Sequence, residues 1–139
     1  MNHTDTLLLD ASVWVASKDS SDRYCEAARP LVLDAARRLA SLDLTLYETA
    51  NVIGARWGRP EVAKQLCATI VSRCGEHLLP VDTYLLGSAL DIATEHGLTA
   101  YDAAYVAAAR RHGWTLVSTD VADLVSKGLA VAPDLADYP

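Results

Sequence analysis

A chain of 139 residues, 51% hydrophobic and 22% charged, suits one globular domain and excludes a disordered polymer. Its formal net charge of −6, from 12 basic and 18 acidic side chains, gives no overall basic footprint of the kind that marks phosphate binding. No apolar run approaches the roughly 18 residues that span a bilayer, and "MNHTDTLLLD" lacks the basic and long apolar regions of a signal peptide, so a cytoplasmic location is expected.

In chain order, "TLLLD" predicts a short buried strand ending at Asp10, and "SVWVA" starts a short helix or turn. A helix is expected over 21–40, with Pro30 placed to kink or split it. "LDLTL" predicts a second strand. "YETANVIGARW" predicts a helix that Gly58 ends. Pro60 then takes a first-turn position and opens a helix to about Arg73. "HLLPV" predicts a third strand, followed by a helix over 83–96 with Gly97 as its stop. "LTAYDAAYVAAARR" is the next helix, stopped by Gly113. "TLVS" predicts a fourth strand, 121–126 a short helix, and "LAVA" a fifth strand. Apolar strands alternating with helices imply the α/β class: a single domain over 1–139, with a mostly parallel central sheet and helices on both faces.

The three cysteines, Cys25, Cys67 and Cys74, are an odd number without zinc-finger spacing, which predicts buried or partly buried free thiols. His3 and His77 are scattered. His96 and His112 each precede a glycine at an expected helix end, where imidazole suits the last carbonyls, and no histidine is assigned to catalysis.

Ligands of open parallel sheets bind outside the carboxyl ends of the strands. Asp10 ends the first strand, Glu48 follows the second in "TLYETAN", and Asp120 follows the fourth in "LVSTD". Asp102 opens the helix that feeds the fourth strand, so its N-terminus points at the same edge. Each acid also has a local explanation. Thr45 with Glu48 and Thr99 with Asp102 both have capping-box spacing. Asp120 suits an N-cap with Asp123 behind it, and Asp10 could cap the helix that follows. Together the four suggest more than caps, because clustered carboxylates repel unless a cation compensates them. Hard oxygen donors suit Mg²⁺ or Mn²⁺, which can activate a water and stabilise charge on a phosphoryl group. With four acids set aside as ligands the net charge comes close to neutral. Arg37, Arg38, Arg56, Arg59, Arg110 and Arg111 then leave room for a local basic patch.

The segments "LLLDASVWVA", "LTLYETANVI", "LTAYDAAYVAAA" and "LVSTD" together resemble the PIN-domain ribonucleases, specifically the VapC-type toxins of bacterial toxin–antitoxin pairs. The resemblance runs from Leu7 to about Asp134, giving a core over 7–134. It implies that Asp10, Glu48, Asp102 and Asp120 are the catalytic, metal-binding acids, Glu48 acting directly or through a water. It further implies that the Ser12 and Ser118 hydroxyls support the acids. Many relatives carry a further acid two positions after the fourth. Here that position is Ala122, and Asp123 is left as an outer contributor. The implied activity is Mg²⁺- or Mn²⁺-dependent endonucleolytic cleavage of RNA by in-line attack of an activated water. The implied partners are an RNA substrate, a cognate antitoxin whose peptide enters near the active site, and a second copy in a homodimer. Trp14, Val15, Ile53 and Trp57 are large apolar residues on the early helices; most of such residues are expected in the core, and any left at the surface could contribute to an antitoxin groove.

The alternative reading is a non-catalytic PIN-fold module that binds RNA or protein; the full acid set argues against it. A receiver-type signalling domain would need a Lys after its last strand, where this chain has "PDLADY". An Asp-nucleophile phosphatase would need an acid at position 12, which is Ser12.

Overall fold

Among the described residues, four short parallel strands organise the fold: β1 (Leu7–Leu9), β2 (Leu39–Leu42), β3 (Leu78–Leu79) and β4 (Thr115–Val117), in the spatial order β3-β2-β1-β4. The computed structural model describes residues 5–136. His3 and both ends of the expected 1–139 domain lie outside the described residues.

Among the described residues, six α-helices connect the strands: α1 (Ala11–Ala16), α2 (Cys25–Leu33), α3 (Leu44–Thr49), α4 (Pro60–Cys74), α5 (Thr83–His96) and α6 (Ala100–His112). The α3 helix runs on without a break into a π-helical segment, Ala50–Arg56. Pro60 opens α4 at its first turn. Gly97 and Gly113 close α5 and α6 in the left-handed region, at φ of 68° and 67°, which a side chain would strain.

The pleat divides the buried residues between two cores. Leu7, Leu9, Leu39 and Val117 face Val13 and Trp14 of α1, Leu31 of α2, and Leu66 and Ile70 of α4. Leu8, Ala40, Leu42 and Leu116 face Leu85 and Ile92 of α5 and Tyr105 and Val106 of α6. Both faces of the sheet are covered, which is why the central strand β1 reads as an unbroken apolar run. Burial of such side chains contributes about 1.5–3 kcal/mol each. All three cysteines are free thiols; Cys25 and Cys74 are buried and Cys67 partly so.

Several boundaries differ from the expected ones. The helix expected over 21–40 is confined to Cys25–Leu33, and Pro30 lies inside it without ending it. At Asp34 the backbone becomes extended, and Asp34 Oδ1 accepts from the Ala36 N–H at 3.0 Å, forming a turn. The second strand therefore starts at Leu39 and stops at Leu42. Thr45 and Leu46 belong to α3 instead. The third strand keeps only Leu78 and Leu79, because Pro80 has no N–H to continue a ladder. The expected fifth strand is a single parallel bridge between Val117 and Val131, after which Pro133 opens a short 3₁₀ turn. Among the described residues no helix is long and apolar enough to cross a membrane.

Candidate metal centre

The strand order reverses at β1: the chain winds outward to β2 and β3, then returns to place β4 on the other side of β1. The carboxyl ends of β1 and β4 flank this switch point, where open parallel sheets form a crevice. Asp10 directly follows β1, Ser118 directly follows β4, and Asp120 lies two residues beyond it.

Hydroxyl groups shape the backbone there. The Ser12 hydroxyl donates to Asp10 Oδ1 and lies 3.5 Å from Ser118 Oγ. Ser12 Oγ also accepts from the Thr119 N–H at 3.0 Å, and Ser118 Oγ accepts from the Asp120 N–H at 3.0 Å. Two serines thus join the end of β1 to the loop after β4. Asp10 is only 6% exposed. Burial pushes its carboxyl up to about 6; the Ser118 and Ser12 hydroxyls pull it part of the way back, and the charges of Asp102 and Glu48 push it up further.

The second group of acids comes from α6 and the loop after β4. One carboxylate oxygen from each of Asp102, Asp120 and Asp123 lies within 4.8 Å of the other two. Asp102 is half-buried, and its carboxyl is raised first by burial and then by the charges of Asp120 and Asp123. The local caps are real as well. Thr99 Oγ1 accepts from the Asp102 N–H at 3.1 Å, and Asp120 Oδ1 accepts from the Asp123 N–H at 3.0 Å. Capping and clustering are therefore compatible at Asp102 and Asp120. At Asp10, which precedes α1, the side chain makes no cap hydrogen bond.

Glu48 sits within α3 and is held by a different chain of groups. The Leu42 N–H donates to Thr45 Oγ1 at 3.2 Å, Thr45 Oγ1 and the Tyr105 hydroxyl are 2.7 Å apart, and Tyr105 donates to Glu48 Oε1 at 2.6 Å. With its own proton on Glu48, Tyr105 accepts the Thr45 proton. Thr45 is thus not the cap of a Thr45–Glu48 box, because β2 ends at Leu42 and Thr45 already lies inside α3. Burial raises the Glu48 carboxyl, the Tyr105 hydrogen bond lowers it, and the Asp102 charge raises it again. The Tyr105 hydroxyl is itself held well above the ordinary phenol range, by burial first and then by the charges of Glu48 and Asp10.

The site therefore has two parts: Asp10 with Ser12 and Ser118, and the group of Asp102, Asp120 and Asp123, with Glu48 near enough for its charge to act on Asp10. Sequence reading missed Tyr105. Its signal was the spacing from Asp102, three residues along the same helix and so on the same face. Asp123, left as an outer contributor, stands in the same cluster as Asp102 and Asp120. Among the described residues no lysine or arginine ion pair reaches these acids. An all-oxygen donor set, in which the carboxyls of Asp10, Glu48 and Asp102 are raised by burial and by neighbouring acids, fits a hard divalent cation.

A family profile described as PIN domain matches residues 7–123, which includes every one of these acids. The chain belongs to the PIN-domain family. This PIN domain is 33% identical over 118 residues to Ribonuclease VapC3 of Pyrobaculum aerophilum, covering 82% of this chain and 88% of that protein. Its fold is shared with Mycobacterium tuberculosis VapC20, described as a sarcin–ricin loop cleaving toxin, at a TM-score of 0.73 and 19% identity, covering 88% and 95% of the two chains. It is likewise shared with a toxin–antitoxin complex from Klebsiella pneumoniae, at a TM-score of 0.67 and 18% identity, covering 91% and 97%. VapC-type PIN domains are thus its relatives in sequence and in fold.

Other expected positions fall differently within the PIN domain. Trp14 and Ile53 are fully buried core residues and Val15 packs against them, so of that group only Trp57 stands at the surface, 37% exposed. Trp14 supports the site from below: its Nε1–H donates to Ser41 Oγ at 2.9 Å, and Ser41 donates to the Leu9 carbonyl at 2.6 Å. Arg37 is buried, while Arg110 and Arg111 close the end of α6 opposite Asp102.

Proposed function

We propose that this PIN domain is a Mg²⁺- or Mn²⁺-dependent endoribonuclease, acting in the cytoplasm as the toxin of a type II toxin–antitoxin pair. The observation that carries the reading is the convergence of Asp102, Asp120 and Asp123 within 4.8 Å beside buried Asp10, on a chain 33% identical to a named ribonuclease.

Asp10, Asp102 and Asp120 would hold the ion, with Glu48 contributing directly or through a water and Asp123 from the exposed side. When bound, such an ion lowers the pKa of a water and balances charge developing on phosphoryl oxygens. The protein's own work is positioning. Ser12 and Ser118 fix Asp10 and the loop that carries Asp120. Tyr105 fixes Glu48. Thr99 fixes the first turn of α6, and so the place of Asp102. A second copy of the chain and an antitoxin peptide complete the proposed assembly; the solved relatives described as toxin–antitoxin complexes support the second of these.

The deciding experiment is incubation of the purified chain with total RNA in Mg²⁺, in excess EDTA, and in EDTA followed by excess Mg²⁺. Cleavage at discrete sites is expected in the first and third and not in the second. Equal cleavage in all three would overturn the metal-dependent reading. No cleavage of any RNA, with or without metal, would overturn the nuclease reading.

A further inference from the structure

Two tyrosines at the mouth of the site have no part in the scheme above. Tyr47 is 83% exposed and Tyr101 is 63% exposed. Each immediately precedes one of the acids, Glu48 and Asp102. Both line one cavity of about 370 Å³, together with Leu44, Glu48 and Asn51. We infer that Tyr47 and Tyr101 form a clamp that stacks on an unpaired RNA base next to the cleaved phosphate; the inference rests on the nuclease reading above.

The fold does not explain these rings. Neither belongs to a buried core cluster, whereas Tyr105, one turn along α6 from Tyr101, is buried and hydrogen-bonded. A polar residue at either exposed helical position would be better solvated. Two large apolar rings sharing one cavity are more informative than scattered exposed ones. The cavity also lies within the size range of small-ligand sites.

Its chemistry selects a base over a phosphate. Among the described residues no lysine or arginine lines it, and Glu48 forms part of its wall, so a phosphate group would be repelled there. An aromatic ring holds a neutral base through its face without needing charge. Such stacking is a general means by which proteins grip single-stranded nucleic acid. Unpaired bases are also the parts of RNA that proteins can reach and read. Asn51, four residues from Tyr47 along the same helix, adds an amide donor and acceptor suited to a base edge. On an acidic chain that repels the RNA backbone, stacking would supply affinity exactly where the ion is needed to draw in the phosphate.

The test uses the full chain and an RNA cut site mapped with the parent protein. Tyr47→Ala, Tyr101→Ala and the double variant are compared with Tyr47→Phe and Tyr101→Phe by kcat and KM at that site. Binding of a non-cleaved single-stranded oligonucleotide, carrying the fluorescent base 2-aminopurine at the mapped position, is measured in EDTA and in Ca²⁺. Each alanine variant is expected to lower kcat/KM about tenfold, the scale of one lost stacking contact. The double variant should lose the fluorescence quench, the phenylalanine variants should keep both, and melting temperatures should match the parent's. Unchanged kcat/KM and quench in the double alanine variant would overturn the clamp while leaving the nuclease reading intact. Equal losses in the alanine and phenylalanine variants would assign the effect to the hydroxyls and overturn stacking. Normal RNA cleavage with lost inhibition by an antitoxin peptide would place the tyrosines on a protein interface, which also overturns it. A parent that cuts no RNA would fail the nuclease reading itself.

Discussion

Tyr105 donates to Glu48 at 2.6 Å, tying α6 to α3 across the site. The same hydroxyl lies 2.7 Å from Thr45 Oγ1, so one phenol joins the end of β2, the start of α3 and the helix that carries Asp102. Removing that hydroxyl should free Glu48 and leave Thr45 without its acceptor. Tyr105→Phe is expected to cost about 1–3 kcal/mol of stability. It should also slow RNA cleavage at least about tenfold, roughly 1.4 kcal/mol in the barrier. Urea unfolding beside a cleavage assay checks both, and an unchanged rate in a folded variant would remove Tyr105 from the positioning machinery.

Asp102 stands in the first turn of α6 behind the Thr99 cap and in an acid cluster at once, and the two roles predict different outcomes. As a helix-start acid alone, Asp102→Asn would cost roughly 0.3–1 kcal/mol and leave cleavage intact. As a member of the cluster, it repels Asp120 and Asp123 when no ion is present. The variant should then melt at or above the parent's temperature in EDTA. It should also lose most of the stabilisation that Mg²⁺ gives the parent, because an ion that binds only the folded state stabilises by mass action. Melting curves of parent and variant in EDTA and in Mg²⁺ separate the two roles.

Asp10 should make the metal-free protein less stable as pH rises. Its carboxyl sits at about 6 in the folded chain against an ordinary 3.8, so between those values the folded state binds more protons than the unfolded one. The slope of stability with pH is therefore negative in that window, and the whole gap corresponds to roughly 3 kcal/mol. Glu48 and Asp102 are raised too and act in the same direction. In EDTA, the parent should lose about 2 kcal/mol more than Asp10→Asn between pH 4.5 and pH 7.5. Equal pH profiles in urea unfolding would contradict this.

Arg73 gives a stability prediction separate from the chemistry. From near the end of α4, its guanidinium donates to the carbonyls of Val32 and Asp34 at 2.8 Å each, with longer contacts to Leu31 and Arg37. These carbonyls belong to the C-terminal end of α2 and the turn after it, where helical partners run out. Arg73→Ala should cost about 1–3 kcal/mol through lost charge-assisted bonds. Below the melting temperature, cleavage should stay near the parent's rate.

Asp10 was legible because the unbroken apolar run of β1 marks a buried parallel strand, and the residue after such a run sits at the sheet's carboxyl edge. Asp120 was reached in the same way from β4, across the short link of Ser118 and Thr119. Glu48 was reached from "LDLTL", which is the end of β2 and the start of α3 and not a strand. Helix stops at Gly97 and Gly113 were legible because the left-handed conformation selects glycine. The start of β2 was hidden. Ala40 and Ser41 lack strand character, and only burial between two covered faces puts them in a sheet. That shift moved Thr45 from an apparent cap to the support of Tyr105. Tyr105 was hidden for a related reason, since nothing local shows that a helical tyrosine will meet a glutamate 57 residues away. The place of Asp123 depended on how the turn after Asp120 closes, which the acid's spacing from Asp120 alone does not fix.

The two serine hydroxyls that join β1 to the loop after β4 have a kinetic consequence. Ser12 and Ser118 satisfy the Thr119 and Asp120 N–H groups through contacts made entirely within the protein. The backbone carrying the acids therefore keeps its shape by its own bonds, and an arriving ion meets a finished scaffold. Activity lost to a chelator should return on the timescale of mixing, with no slow refolding phase. A rapid-mixing experiment that adds excess Mg²⁺ to chelated protein and RNA would then show product forming without a lag.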